Sequence, residues 1–321
     1  MKILLINCDA DFNIALSKLY RYYLNNGDDV RYCNCGFDYY NDNEPKRYFD
    51  GAMYDMIYVS AIYDNSLSKI RIFDGDGKIN IGGIGSGNNG SLPSHIHNLE
   101  PYNISDVYQN FITRGCIRHC SFCKVRDHEG YIYLDKHPCE MELKSTNLFW
   151  DNNILGYSQH KDILRWLNDN GIKYQFKQGL DFRLVNDENL RLLADARYYG
   201  DYIFAFDFIE YRSIVKKAID LIRQYIERPF KTKWYCYVNI NDPVTSINQR
   251  VRFLKDNECL PYVMRDKNCY AKSDKAQYLT MLSAYCNQPA FFKKMEFSEF
   301  VSKRTNNERI IDICNTMWRM V

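Results

Sequence analysis

The chain has 321 residues, of which 46% are hydrophobic, so it is long enough to bury the core of one large domain or of two ordinary ones. Its formal net charge of +2 favours neither a polyanion-binding surface nor an acidic tail, so nucleic acid is not indicated as a partner. The apolar run after Lys2 is too short for a signal peptide and ends at Asp9, and no apolar run reaches the length of a membrane span. We therefore expect a cytoplasmic protein, not bound to a membrane, whose 12 cysteines are mostly reduced thiols.

Residues 1–105 have the pattern of a small domain in which strands alternate with helices. Residues 2–8 predict a buried strand, and apolar residues at helical spacing over 15–24 predict a helix that ends at Asn25-Asn26-Gly27. Further strands are predicted at 30–33, 54–62 and 78–81. Such alternation is typical of a parallel sheet covered on both faces, so we expect an α/β fold with a Rossmann-like sheet in this segment.

Residues 106–266 carry six strand patterns at quasi-regular intervals, most of them separated by helical patterns. The strands are predicted at 110–113, 147–150, 173–178, 202–207, 233–240 and 260–264. The helices are predicted at 160–168, 188–197, 213–226 and 245–256. Six such units are too few for a closed eight-stranded barrel and fit a partial (β/α)6 barrel, in which chemistry is expected at the carboxyl ends of the strands.

Residues 267–321 are predicted to form a third segment, a helical tail. Its helices are predicted at 275–285, 297–303 and 307–318. Such a tail either caps the barrel or closes over a substrate, and the sequence leaves both roles open.

Three cysteines lie within eight residues, directly after the first predicted strand of the 106–266 segment. Cys116, Cys120 and Cys123 have the spacing Cys-x3-Cys-x2-Cys, which differs from the paired Cys-x2-Cys units of structural zinc sites. A four-iron cluster usually takes four thiolates, so three would leave one iron open to bind another molecule. The alternatives are a zinc site that takes a fourth ligand, such as His119 or His128, and three unrelated thiols.

This order of cysteines, with Phe122 before the last and Arg114-Gly115 before the first, resembles the radical S-adenosylmethionine (SAM) superfamily. The resemblance covers roughly residues 106–266. It implies a partial barrel, a [4Fe-4S] cluster on the three thiols, and SAM chelated at the open iron. It further implies that a flavodoxin or ferredoxin reduces the cluster, that SAM is cleaved to methionine and a 5′-deoxyadenosyl radical, and that this radical abstracts hydrogen from an unidentified substrate.

The resemblance also implies which side chains contact SAM. Asp151 follows the second strand, where the superfamily often has Gly-Gly-Glu, and is expected to accept a hydrogen bond from the SAM ammonium. Arg183 is expected to bind the SAM carboxylate, and Asp207 the ribose hydroxyls or the amino group. Phe122 is expected to lie near the adenine. Three of these residues also have a structural alternative, which is a turn for Asp151, an ion pair for Arg183 and a core aromatic for Phe122. The full set of expected contacts is Phe122, Asp151, Asn152, Asn153, Gln178, Arg183 and Asp207.

The N-terminal segment resembles the cobalamin-binding domain that often precedes such barrels. Ser60-Ala61-Ile62 and Gly82-Gly83 look like two of its elements, but Asp9 begins the stretch where its cobalt-ligating histidine is expected, and no histidine occurs before His95. A degenerate domain that no longer binds cobalamin is therefore the preferred interpretation, with cobalamin left open as a cofactor.

Three further functions stay open at this point. A cobalamin-dependent radical methyltransferase would retain cobalamin, and a methylthiotransferase would need a second cluster. A zinc-stabilised binding module without turnover belongs to a different class and would carry stoichiometric zinc. The sequence does not name the substrate of any of them.

Overall fold

The structure is a computed structural model, which describes residues 1–9, 12–35, 47–63, 66–88, 90–103 and 105–320. The fold is mixed α/β with parallel sheets, as the sequence predicted. The chain divides into two compact units, which are Met1–Asn110 with Met141–Lys144, and Phe111–Glu140 with Ser145–Val321. Among the helices in these described ranges, we find none with the length and apolar character that a membrane crossing needs.

The first unit is built on a parallel sheet. Its strands are β1 (Lys2–Asn7), β2 (Asp29–Asn34), β3 (Arg47–Asp50), β4 (Met56–Ser60), β5 (Ile70–Phe73), β6 (Ile79–Gly82) and β7 (Val107–Asn110), and its helices are α1 (Ile14–Asn25) and α2 (Ser94–His97). The sheet has the order β2-β1-β4-β6, with all neighbours parallel. The order puts β1 in the interior of the sheet, which explains why its apolar run is continuous.

Both faces of β1 are buried, since successive side chains of a strand point to opposite faces. Leu4 and Ile6 lie in one apolar cluster, with residues of β4. Leu5 lies in another, against Leu16 of α1. The helix starts where Asn13 caps it, because the Asn13 side chain accepts a hydrogen bond from the Leu16 N–H at 3.0 Å.

The second unit contains the remaining elements. Its strands are β8 (Thr113–Arg114), β9 (Tyr133–Leu134), β10 (Thr146–Phe149), β11 (Lys173–Phe176), β12 (Arg197–Tyr198), β13 (Tyr202–Ala205), β14 (Thr232–Val238) and β15 (Leu260–Arg265). Its helices are α3 (Val125–Glu129), α4 (His160–Asp169), α5 (Asp187–Ala194), α6 (Arg212–Tyr225), α7 (Val244–Asp256), α8 (Asp274–Cys286), α9 (Pro289–Phe292), α10 (Phe297–Arg304) and α11 (Glu308–Arg319). Most of the parallel strands are separated by helices, as the sequence pattern predicts.

The strands of the second unit pair in two parallel ladders and one short hairpin. One ladder has β10, β11 and β12 in that order, and the other has β13, β14 and β15. The chain passes from the first ladder to the second at Gly200, which has a φ of +66°. Beyond the end of β11, the Leu180 N–H donates to the Ile203 carbonyl at 2.7 Å.

The predicted strand at 110–113 differs from the structure. Its two ends fall in different elements, the end of β7 and the start of β8, and β8 pairs antiparallel with β9. Between them, the N–H groups of Ile112 and Thr113 donate to the carboxylate of Asp151 at 3.1 and 2.6 Å. The Asp151 carboxylate, which is distant in sequence, therefore accepts backbone hydrogen bonds that a neighbouring strand would otherwise accept. A local sequence pattern does not predict such a contact.

The side chains of β14 alternate between the two faces of the second ladder. Trp234, Cys236 and Val238 are buried, and Trp234 lines a small cavity together with Ile219 and Ile222 of α6. The alternate residues Lys233, Tyr235 and Tyr237 are only partly buried and face away from that helix. This second face, defined by Lys233, Tyr235 and Tyr237, is called the inner face below.

Candidate functional site

The three cysteines of the predicted motif lie on the loop that follows β8, called the cysteine loop (residues 115–124). Gly115 starts the loop with a φ of +75°, in the left-handed region that favours glycine. A Cβ at this position would lie 2.5 Å from the Tyr131 carbonyl oxygen and 2.8 Å from that of Gly130. Gly115 is therefore required by the close approach of the chain at 130–131 as well as by its backbone angle.

Glu129 fixes the start of the cysteine loop. Its carboxylate accepts hydrogen bonds from the Gly115 N–H at 2.9 Å, from Arg114 at 2.6 Å and from the Asn152 side chain at 2.7 Å. Arg126 adds a bond to the Cys116 carbonyl at 2.7 Å. Sequence reasoning missed Glu129 because it stands in a polar stretch without a motif, and its partners are distant in sequence.

The three thiols are partly buried, and none forms a disulfide. The Arg118 N–H donates to Cys116 Sγ at 3.3 Å, and the Asn153 Nδ2 group lies 3.8 Å from the same sulfur. The Cys123 N–H donates to the Cys120 carbonyl at 3.0 Å, which closes a turn between these two residues. Hydrogen bonds therefore hold the short segment that carries the three thiol side chains.

The causes of the pKa shifts of Cys120 and Cys123 identify the charged groups near these thiols. Burial raises the pKa of the Cys120 thiol, Arg183 opposes this, and the charges of Cys123, Asp207 and Cys116 raise it further. Burial is also the main cause of the raised pKa of Cys123, to which Cys116 and Asp207 again contribute. The three sulfurs therefore lie within electrostatic range of one another and of two of the predicted SAM contacts.

No three or more His, Cys, Asp or Glu side chains converge on a single point that would hold one metal ion, within the ranges the structure describes. His119 is exposed and hydrogen-bonds Asp127 at 3.1 Å.

Phe122 makes an aromatic contact with the inner face. Its ring stacks on Tyr237 of β14, with centroids 4.3 Å apart and planes at 9°, and Phe208 lies 5.9 Å away in a tilted arrangement. The stack joins the cysteine loop to the carboxyl end of β14.

The side chains at 151–153 have three different environments. Asp151 is fully buried, and besides the two N–H groups described above its carboxylate accepts from Thr113 Oγ1 at 2.6 Å. Burial raises the pKa of Asp151 to about 6, although these donors oppose the shift. Asn152 is bonded to Glu129, as noted above. Asn153 points toward Cys116, and its buried Oδ1 has no hydrogen-bond partner in the described part of the chain.

Arg183 is held in an ion pair. Its guanidinium binds Asp181 through Nε at 2.7 Å and through Nη2 at 3.1 Å, and Asp181 also accepts from Arg118 of the cysteine loop at 2.8 Å. Burial would raise the pKa of Asp181, but Arg183 and Arg118 outweigh it and hold that pKa below its ordinary value. The structural ion pair foreseen as an alternative is thus present, and it joins Arg183 to the cysteine loop.

Asp207 lies just beyond the carboxyl end of β13 and accepts the Tyr237 N–H at 2.9 Å. Burial raises the pKa of Asp207, and the Tyr237 N–H, Arg250 and Arg183 oppose this. Gln178, by contrast, is exposed. The structure therefore brings the three thiols, Phe122, Asn153, Arg183 and Asp207 together, while Asp151 faces the backbone at 112–113.

In the first unit, the carboxylate of Asp9 is fully buried. It accepts hydrogen bonds from the Ile62 N–H at 2.6 Å and from Lys69 Nζ at 3.0 Å, and it also binds the Ser66 hydroxyl. Asp9, at which the resemblance to a cobalamin-binding domain predicts that the histidine element begins, thus accepts a hydrogen bond from the chain just after β4. Ser60, at the end of β4, accepts a hydrogen bond from the Asn13 side chain at 2.8 Å.

The chain matches no protein-family model, and a search of the curated proteins found no relative.

Proposed function

We propose that this protein is a radical SAM enzyme in which Cys116, Cys120 and Cys123 hold a [4Fe-4S] cluster. When bound, such a cluster supplies an electron to SAM at its open iron, so that a 5′-deoxyadenosyl radical forms and abstracts hydrogen from the substrate. The observation that carries the proposal is a set of three free thiols on one loop, which Glu129 holds at Gly115 and which the Phe122–Tyr237 stack joins to the carboxyl end of β14.

The donor set fits a cluster better than a single ion. One zinc ion needs four donors about 2.0–2.3 Å from one point. The described residues contain no such convergent group. A four-iron cluster instead puts each thiolate on a different iron, so three thiolates serve it without converging on one atom. The partial burial of all three sulfurs also suits a centre that must be kept from water and oxygen.

A partial barrel is the architecture that the proposal assumes for the second unit. Its two parallel ladders run in chain order, β10 to β12 and β13 to β15, and the Leu180–Ile203 bond joins the end of β11 to β13. The cysteine loop contacts the carboxyl end of β14 through Phe122 and Tyr237. This is the end of a parallel sheet at which barrel enzymes carry their chemistry.

Each side chain near the thiols has a role in the proposal. Asn153, whose Oδ1 is buried and unbonded, accepts from the SAM ammonium. Arg183, oriented by Asp181, binds the SAM carboxylate with the donors that the ion pair leaves free. Asp207 accepts from the ribose hydroxyls, and Phe122 contacts the adenine.

The proposal includes a partner and a location. A flavodoxin or ferredoxin supplies the electron that the cluster passes to SAM. The reducing cytoplasm is the expected compartment, since it keeps the free thiols reduced.

The test is anaerobic reconstitution with iron and sulfide, followed by incubation with SAM and dithionite. We expect 5′-deoxyadenosine from the wild type and none from Cys123→Ala. Cys139→Ala is the matched control, because Cys139 is an exposed free thiol outside the cysteine loop, and it should give the wild-type yield. Equal yields from the wild type and Cys123→Ala would refute the proposal.

A further inference from the structure

Lys177 has an ammonium group without a counter-charge. It directly follows β11 and is only partly exposed, yet no carboxylate or other hydrogen-bond acceptor of the described chain lies within bonding distance of its Nζ. A partly buried ammonium loses hydration that no protein group replaces here, so it gains from any anion that binds to it.

Two charged side chains, Lys233 and Asp201, act on the Lys177 ammonium. Burial lowers its pKa, the charge of Lys233 lowers it further, and Asp201 opposes both. Asp201 is itself engaged with Lys233, since the two side chains lie 3.4 Å apart. Lys233 and Asp201 thus balance each other, and Lys177 is the cation of this group that has no partner among the described residues.

Two tyrosines, Tyr235 and Tyr262, form an aromatic wall, and one of them contacts the Lys177 backbone. The Tyr235 hydroxyl donates to the Lys177 carbonyl at 2.9 Å and so fixes the position of the lysine backbone. The Tyr262 ring lies 5.4 Å from the Tyr235 ring. Tyr262 is 37% exposed, and its hydroxyl also lacks a partner in the described ranges. The wall is therefore apolar over its rings and carries a free hydroxyl at an open edge.

The wall lies on the same face as the contact made by the cysteine loop. Tyr235 and Tyr237 are two residues apart on β14, so both belong to the inner face at a spacing of about 7 Å. Tyr237 carries the stacked ring of Phe122. A small molecule bound along Tyr235 would thus lie next to the loop that holds the three thiols.

We propose that Lys177, Tyr235 and Tyr262 bind a small carboxylic acid whose carboxylate pairs with the lysine ammonium and whose apolar or aromatic body lies on the two rings. The inference deepens the proposed function by naming the class of substrate, and it rests on that function only in calling the bound acid a substrate. Binding itself requires neither the cluster nor SAM.

A monocarboxylate fits these groups better than a phosphate. Phosphate sites use several donors, such as an arginine fork or a row of backbone N–H groups. Here the described residues offer one ammonium and one hydroxyl without a partner, which are too few donors for a phosphate dianion. One negative charge on a largely apolar molecule matches one unpaired cation beside two aromatic rings.

The test measures the protection of Lys177 from acetylation in the full-length reconstituted protein, without SAM or reductant. A limiting amount of an acetyl N-hydroxysuccinimide ester is added, and mass spectrometry follows each lysine with time. The probe is benzoate, and the comparisons are benzyl alcohol, inorganic phosphate, and potassium chloride at equal ionic strength. Lys216 is the matched control lysine, because it lies on the exposed side of α6 and pairs with Asp220.

We expect saturating benzoate to slow acetylation of Lys177 at least fivefold and to leave Lys216 unchanged, while benzyl alcohol and chloride have less than a twofold effect. Equilibrium dialysis should show bound benzoate for the wild type and for Lys216→Gln, and at least tenfold weaker binding for Lys177→Gln. The inference is overturned if benzoate does not protect Lys177, or if phosphate protects it equally well.

These results separate the inference from the proposed function. Formation of 5′-deoxyadenosine without benzoate protection removes the carboxylate site and leaves the radical chemistry. Protection without 5′-deoxyadenosine keeps the carboxylate site and removes the radical chemistry.

Discussion

Gly115 controls the path of the cysteine loop, and its substitution tests whether that path matters. In Gly115→Ala the new Cβ meets the Tyr131 carbonyl, and the φ of +75° adds strain of about 1–3 kcal/mol. We expect a lower free energy of unfolding in urea and less bound iron after reconstitution.

Gly130→Ala is the matched control for Gly115→Ala. Gly130 has a similar φ of +77°, but a Cβ there meets no atom within 4 Å. It should therefore show the cost of the backbone angles alone, about 1–3 kcal/mol for a φ of 77° with a ψ of −155°, with normal iron content. Equal losses of stability and iron in the two variants would contradict the role given to the close approach at 130–131.

The second prediction concerns Asp151 and the pH dependence of the free energy of unfolding. Its folded-state pKa of about 6 exceeds the value near 3.9 expected for an unfolded chain. The native state therefore binds the proton more tightly, and the stability that this gives is full below about pH 4 and is lost as the pH rises through about 6. Asp151→Asn removes the titration.

Urea unfolding of the wild type and Asp151→Asn between pH 4 and pH 7 measures this effect. The free energy of unfolding of the wild type minus that of the variant should fall by about 2 kcal/mol over this range. A constant difference for Asp151→Asn over this range would mean that Asp151 is ionised throughout.

At the scale of elements, the stack of Phe122 on Tyr237 joins the cysteine loop to β14. A double-mutant cycle with Phe122→Leu and Tyr237→Leu isolates the contact, because leucine keeps apolar volume and removes the ring pair. We expect a coupling of about 0.5–1.5 kcal/mol in the free energy of unfolding. A coupling near zero would show that the loop is not held to the strand by these rings.

The sequence predicts long elements better than short ones in this chain. The predicted strand at 233–240 corresponds to β14, and the predicted helix at 245–256 corresponds to α7, because buried apolar residues recur along both. The antiparallel pairing of the two-residue strands β8 and β9 was not predicted, since it depends on Asp151 and on the Gly115 turn rather than on a local pattern.

The same distinction applies to the candidate site. The cysteines are visible because their spacing is local. Glu129 and Asp181, which hold Arg114 and Arg183, are not visible, because their partners are set by the fold. Sequence therefore indicates the chemistry of a site more readily than the residues that orient it.

At the scale of the whole molecule, Asn248 of α7 anchors the C-terminal helix. Its buried Nδ2 donates to the carbonyls of Met317 and Met320, each at 2.8 Å, and its Oδ1 accepts from the Tyr278 hydroxyl. Asn248→Ala should lower the free energy of unfolding by about 2–4 kcal/mol, since three buried hydrogen bonds are lost. It should also speed proteolysis after α10.

Asn170→Ala is the control for Asn248→Ala, because the exposed Asn170 side chain bonds, among the described residues, only a carbonyl of its own helix. It should change the free energy of unfolding by less than about 1 kcal/mol. If Asn248→Ala is as stable and as resistant to protease as this control, the C-terminal helix is held by its apolar contacts alone.

The central claim is that three thiols hold a four-iron cluster whose open iron binds SAM. Electron paramagnetic resonance of the dithionite-reduced, reconstituted protein tests it most directly, because the spectrum reports both the cluster and a ligand on its iron. We predict the signal of a reduced [4Fe-4S] cluster that changes when SAM is added and is absent in Cys123→Ala. A signal that SAM does not change, or a protein that carries stoichiometric zinc and gives no signal, would contradict it.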